Sequence, residues 1–341
     1  MTPLLLCVLA LPTFAPAAGP TPPEPVRLIF DTDLGADIDD ALALAMIHAL
    51  ESRGACKLLA VTLTNDHPDI GPLTDVINTF YGRGDVPIGR AVNKFPAASR
   101  YVETARLKDQ GAFRYPRKVR SSAELPPALT VLRRTLAAQP DGSVVIAQVG
   151  MSSNLRDLLA SGPDSDSPLT GLELARHKVR LVSIMAGAFT PIGDHKRFIE
   201  YNVKQDLPAT IRLAAEWPTP VVWSGFEIGI AVNYPAASIE RDFAYVKHHP
   251  VAEAYRLYEK MPYDRPTWDL TSVLYAVYPD RKYFDLSPPG QVTVEKDGFT
   301  RFDAAADGKH RYLILKPEQK GRALEALVQL ASQPPAPQPA R

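Results

Sequence analysis

The stretch Val26-Arg-Leu-Ile-Phe-Asp-Thr-Asp-Leu-Gly-Ala-Asp-Ile-Asp-Asp-Ala-Leu-Ala43 decides the reading of this chain. Its apolar start, Val26 to Phe30, has the length and β-branched content of a buried strand. Five aspartates follow within ten residues, and the chain then passes into a helical pattern over Asp39 to Arg53. Working outward, the same alternation recurs. Leu58 to Thr64, Ser143 to Val149, Val179 to Met185 and Thr219 to Trp223 read as buried strands. Leu73 to Phe80, Leu125 to Ala138 and Asp206 to Glu216 read as helices between them. Such alternation predicts an α/β fold, an open, mostly parallel sheet with helices on both faces and a Rossmann-like core. Beyond Trp223 the pattern loosens into helices near Val251 to Lys260 and Leu270 to Val277, a hairpin-like stretch from Gln291 to Leu315, and a last helix from Gln319 to Ala331. None of these demands a separate domain.

The ends of the chain read differently. Leu4 to Leu11 is a short apolar run, and Ala15 and Ala17 fit an A-x-A cleavage pattern, so residues 1–17 are expected to be a secretory signal peptide and the protein to be exported, periplasmic or secreted. Residues 18–25 form a Pro-rich linker, 26–332 the folded domain and 333–341 a Pro-rich tail. Two cysteines exclude a disulfide scaffold and a thiolate zinc site. Lys plus Arg number 38 and Asp plus Glu 38, which leaves no net field to attract a nucleic-acid backbone or an anionic membrane. The expected partner is a small molecule, with no nucleic acid, no membrane after signal cleavage, and a homo-oligomer as an open alternative.

In a parallel sheet ligands bind beyond the carboxyl ends of the strands. Asp31, Asp33, Asp37, Asp39 and Asp40 stand after the first strand, Asn65 after the second, Gly150 to Asn154 after the third, and Met185 to Gly187 after the fourth, with Glu200 and Asn202 further on. Five converging carboxylates repel one another unless a counter-ion intervenes, and Ca²⁺, which takes six to eight oxygen ligands, resolves that conflict. Asp39 and Asp40 as simple companions of a helix start explain two of the five. An EF-hand is excluded, because its twelfth position would be Leu42 instead of a bidentate Glu. A haloacid-dehalogenase-type phosphatase would share the Asp31 and Asp33 pair, but the continuation through Asp37, Asp39 and Asp40 into Ala41-Leu42-Ala43 does not suit it.

With those residues quoted, the segment resembles the N-terminal signature of the inosine–uridine-preferring nucleoside hydrolase family. The likeness extends through Ala60-Val-Thr-Leu-Thr-Asn65, Val149-Gly-Met-Ser-Ser-Asn154, Met185-Ala-Gly187, Glu200-Tyr-Asn-Val203 and Trp268-Asp269. It implies calcium-dependent hydrolysis of the N-glycosidic bond of ribonucleosides. The resemblance makes Asp33, Asp40 and Asp269 calcium ligands, with the main-chain carbonyl of Val149 beside them, and Asp33 the base that takes a proton from the attacking water. Asp39, Asn65, Met185, Glu200 and Asn202 would bind the ribose, and Asp31 would support the loop from behind. The chemistry is consistent with anionic groups stabilising an oxocarbenium-like sugar, calcium fixing the water and the ribose diol, and a carboxylate base.

The sequence departs from the family in three places. The loop between Gly35 and Asp39 is longer than the shortest family signature, which adds Asp37, expected as a supporting group. The approach to Glu200, Thr190 to Phe198, is also unlike the family's. Trp268 stands where many members carry a histidine that protonates the leaving base; the resemblance to the purine-preferring branch makes it a base-stacking residue, and ordinary core packing is the plain alternative. His67 and His195 are the other histidines considered for that proton. Two rival readings remain: a noncatalytic calcium-dependent riboside-binding protein, and a hydrolase of another ribosylated metabolite.

Overall fold

The computed structural model describes residues 24–92, 95 and 99–337; the expected signal peptide and most of the Pro-rich linker lie outside them. Among the described residues the main sheet has ten strands: β1 (Val26–Thr32), β2 (Cys56–Leu63), β3 (Ile88–Gly89), β4 (Val144–Gln148), β5 (Val179–Met185), β6 (Val221–Ser224), β7 (Asp285–Leu286), β8 (Gly290–Val294), β9 (Thr300–Ala304) and β10 (His310–Ile314). Their order is β9-β8-β10-β6-β5-β4-β1-β2-β3, with β7 alongside β10. Every pairing from β10 to β3 is parallel. β8 runs antiparallel to β9 and β10, and β7 antiparallel to β10. The stretch expected to be hairpin-like therefore divides: β8 and β9 make the hairpin, while β10 returns to extend the parallel sheet.

The alternation of side chains across the sheet produces two cores. Leu28, Phe30, Val145 and Ala147 face one core, and Ile29, Val144 and Ile146 face the other. The first is closed by helices Asp39–Ser52, Trp268–Val277 and Pro317–Ala331, the second by Ala128–Ala137, Ser153–Ala160 and Leu207–Glu216. Each fully buried Leu or Ile contributes about 1.5–3 kcal/mol of transfer free energy. The helix Asp39–Ser52 is buried all round from Asp39 to Leu50, as its nearly unbroken apolar composition requires. The aspartate loop is thus anchored between a central strand and a fully buried helix start.

Chain order reverses at β1: β2 and β3 lie on one side of it, β4, β5 and β6 on the other. A crevice at the carboxyl ends of β1 and β4 follows from that reversal. Among the described helices, none is long and apolar enough to cross a membrane.

Candidate active site

The crevice holds a cavity of about 320 Å³ lined by the aspartate loop (Asp33, Ala36, Asp37, Asp39, Asp40), by Val149 and Met185 from the ends of β4 and β5, by Glu200, Tyr201 and Asn202, and by Phe226, Tyr258, Trp268 and Asp269. Gly150 permits the crevice to be this tight. A Cβ there would stand 2.3 Å from Thr64 Oγ1 and 2.5 Å from the Asp33 nitrogen.

Three carboxylates form the floor. Asp39, Asp40 and Asp269 each place an oxygen within 4.8 Å of the others, all buried. Asp39 Oδ2 accepts from the Asp269 N–H at 3.1 Å, and the Thr32 hydroxyl donates to Asp40 Oδ1. Asp40 Oδ2 has no hydrogen-bond partner. Burial first, and mutual repulsion with Asp37, Asp33 and Asp39 next, holds these carboxyls well above the usual carboxylate range. Buried acids in that state cannot all ionise without a cation. The donor set, all hard oxygen with one acceptor left open, fits a divalent ion such as Ca²⁺. Asp33 lines the cavity outside this trio; burial and the charge of Asp37 raise it to about 7.

The remaining acids have separate tasks. Asp31 lies behind the loop, accepting from Thr62 Oγ1 at 2.5 Å and Asn154 Nδ2 at 2.8 Å, and burial raises it to about 7. Asp37 pairs with Arg265, whose Nε donates to Oδ1 at 2.9 Å, and its carbonyl accepts from the Tyr101 hydroxyl at 2.5 Å. That is the supporting role expected of the inserted residue. Glu200 begins the helix Tyr201–Gln205 and accepts from the N–H groups of Asn202 (2.8 Å), Val203 (3.1 Å) and Gly187 (3.2 Å); burial carries it to about 7. Asn202 Nδ2 donates to the Val149 carbonyl at 2.8 Å and to that of Met185 at 3.3 Å, tying the ends of β4 and β5 together.

The opposite wall is aromatic. Trp268 is half-buried, its Nε1 donates to the Phe226 carbonyl at 3.0 Å, and the two rings lie 5.1 Å apart at 34°. Gly229 lets the indole pack so closely, since a Cβ there would stand 2.2 Å from its ring. Arg265 lies over Tyr258 at 5.0 Å and over Trp268 at 5.5 Å.

Of the residues expected from sequence, Asp33, Asp39, Asp40, Val149, Met185, Glu200, Asn202, Trp268 and Asp269 meet in this cavity. Asn65 is buried just after β2 and is not among the lining residues. Among the described residues no histidine lines the cavity: His67 stands 4.0 Å from Asp69 beside a separate depression, and His195 is exposed in a turn with Ile192. Phe226, Tyr258, Tyr201 and Arg265 were not anticipated. Phe226 was within reach of the strand-end rule, since it follows β6 by two residues. Tyr258 arrives from the helix Pro250–Tyr258, which no strand end announces.

Comparison with known proteins fits this geometry. The profile described as inosine-uridine preferring nucleoside hydrolase matches residues 28–330. The chain belongs to that nucleoside hydrolase family. Membership makes it an N-glycosidic hydrolase acting on ribosides. Solved nucleoside hydrolases share the fold: a plant nucleoside hydrolase (19% identity, 91% of this chain and 100% of that one, TM-score 0.66), a purine-preferring ribonucleoside hydrolase from Gardnerella vaginalis (18%, 90% and 98%, 0.66), and an inosine-uridine preferring nucleoside hydrolase from Bacillus anthracis (15%, 90% and 99%, 0.64). A search of curated protein sequences returns no match.

Proposed function

We propose that this nucleoside hydrolase is an exported, calcium-dependent enzyme that prefers purine ribonucleosides and releases free base and ribose. The observation that carries the reading is the opposition of a buried, uncompensated carboxylate floor to an aromatic wall across one cavity. Asp40 and Asp269 of that floor, joined by Asp33 from the cavity lining beside it and by the Val149 carbonyl, are the residues that would hold the ion, with Asp39 left to the sugar. Calcium bound there supplies Lewis acidity and cancels the repulsion among the acids. Asp33 accepts the proton of the attacking water. Asp39, Glu200, Asn202 and Met185 seat the ribose, with Asn65 behind them; anionic groups close to the sugar favour the positive charge that develops as the bond breaks. Trp268 offers a face to the leaving base, and a bicyclic purine covers more of it than a pyrimidine does.

The test is a turnover screen over inosine, guanosine, adenosine, uridine and cytidine with chelator, then with calcium restored. Purine release that vanishes with chelator and returns with Ca²⁺ is the expected result. A uridine preference overturns the purine assignment, and turnover indifferent to chelator overturns the calcium one. Export is read by N-terminal sequencing from the native host, with a start near Ala18 expected and intact Met1 in the cytoplasm as the contrary outcome.

A second substrate reading is favoured by one observation. No histidine lines the cavity among the described residues, which suits a ribosylated metabolite whose leaving group departs without a strong acid. Faster release from such a riboside than from inosine would select it.

A further inference from the structure

The segment Arg100 to Arg120 carries seven basic residues against two acidic ones, although the whole chain balances 38 with 38. It begins with the short 3-10 helix Arg100–Arg106 and continues as a small hairpin pairing Lys108–Asp109 with Ala112–Phe113. Its inner side is bound to the aspartate loop: the Ser99 N–H donates to the Gly35 carbonyl at 2.7 Å, Ser99 Oγ to Ala36 O at 2.6 Å, and Tyr101 to Asp37. The outer side opens a separate cavity of about 530 Å³, lined chiefly by Arg106, Lys108, Phe113, Arg117, Arg120 and Asp69. It shares no lining residue with the active site.

Asp69 is the one carboxylate of that lining, and it is already engaged by both prongs of Arg106, at 2.8 Å each. Lys108, Arg117 and Arg120 belong to no ion pair among the described residues. Arg117 lies 3.7 Å from the centre of the Phe113 ring, with Lys108 5.1 Å from the same ring. Two of its guanidinium nitrogens, Nε and Nη1, are shut off from water and have no acceptor. Phe113 itself is 52% exposed. Lys108 and Arg120 are exposed, whereas Arg117 is half-buried on an aromatic face with unfilled donors and only the more distant charges of Asp69 and Asp75 to offset it, so it is the cation that gains most when an oxyanion completes the group. A planar guanidinium fork and two further cations match adjacent phosphate groups better than a single carboxylate.

We propose that this cavity is a binding site for a small diphosphate-bearing anion, distinct from the nucleoside site. The charge excess of three matches a diphosphate, and the volume leaves room for what the diphosphate carries. Calorimetric titration of the full chain with inorganic pyrophosphate, and separately with ADP, tests it. Saturable one-to-one binding is expected, weakening with salt and falling about tenfold or more in Arg117→Gln, where a charge-assisted contact is lost. Arg120→Gln, at an exposed position, provides a second variant and should weaken binding in the same direction. Nucleoside turnover by both variants should match the parent. Tighter binding of ADP than pyrophosphate identifies a nucleotide as the ligand, and equal binding identifies the diphosphate alone. Absence of saturable binding, equal affinity in parent and variants, or binding of a single-stranded oligonucleotide without either small anion would overturn the proposal.

Discussion

Asp39, Asp40 and Asp269 on the cavity floor are buried and come from two helix starts locked into the core, whereas Phe226, Tyr258 and Trp268 on the facing wall are only partly buried and rest on other aromatic rings. The floor is held by main-chain and hydroxyl donors that leave little freedom; the wall is held by ring contacts and one indole hydrogen bond. Under the proposed function the difference places bond cleavage on the floor, where geometry is fixed before substrate arrives, and recognition of the leaving group on the wall, where the surface can be refashioned without disturbing the core.

Removing the base should separate the two most sharply. Asp33→Ala is expected to lose about 10²- to 10⁴-fold in kcat, the usual worth of a positioned proton acceptor, while circular dichroism shows a folded protein. Turnover at the parent rate would remove Asp33 from the cleavage step.

Metal removal comes next. Asp31, Asp33 and Glu200 fold with their carboxyls raised to about 7, so the metal-free folded state binds protons that the unfolded chain has released. The stability these three groups contribute is therefore fullest below about pH 4, the ordinary carboxylate range, and is lost as pH rises towards 7. Scanning calorimetry of chelated protein should show Tm falling across that window. Calcium at a hundred times its Kd should restore about 2.7 kcal/mol at neutral pH. A chelated protein that grows more stable over the same window would contradict the account of the floor.

The wall predicts a selective loss. Trp268→Ala should reduce inosine or guanosine turnover by roughly five- to 150-fold, from a stacking energy of about 1–3 kcal/mol. Nitrophenyl riboside, whose leaving group needs no proton, should lose far less. Equal losses on both would make the indole a packing residue. The smallest effect belongs to the strut between floor and wall: Arg265→Gln breaks a partly exposed pair with Asp37 worth up to about 1 kcal/mol. It should raise KM by about fivefold at most, with kcat nearly unchanged.

The same division governs what could be read from sequence. β1, the aspartates and the helix Asp39–Ser52 were legible because strand, loop and helix are contiguous and each local pattern agrees with the fold. Glu200 and Asn202 were ambiguous as residues alone, since a helix start accounts for them, and the structure shows Glu200 doing both: it caps Tyr201–Gln205 and lines the cavity. The short helix Gly171–Lys178 escaped notice because about two turns carry little periodicity. β10 looked like a hairpin partner because an apolar run does not declare whether its neighbour is parallel. Tyr258 and Arg265 were hidden for another reason: they reach the site by tertiary contact across more than two hundred residues of chain, as the Arg265 bond to Asp37 does.

Glu200 also fixes the span before it. One carboxylate oxygen of Glu200 accepts from the main chain at Gly187, and the pair of oxygens accepts from the start of the next helix, so Glu200 closes the base of residues 188–199, whose two ends are further held by Thr300 and Glu227 on Ala188 and Phe189 and by Glu295 and Asp297 on Arg197. Closing such a loop becomes costlier only with the logarithm of its length, about 0.6 kcal/mol for each doubling. A lineage can therefore lengthen, shorten or rewrite this span while the ribose seat stays where it is. The run from Thr190 to Lys196, whose hydrogen bonds among the described residues stay within its own turn between Ile192 and His195, is then the stretch of chain with most room to diverge, and it is where descendants of this enzyme can reach new substituents on a riboside without relearning how to break the bond.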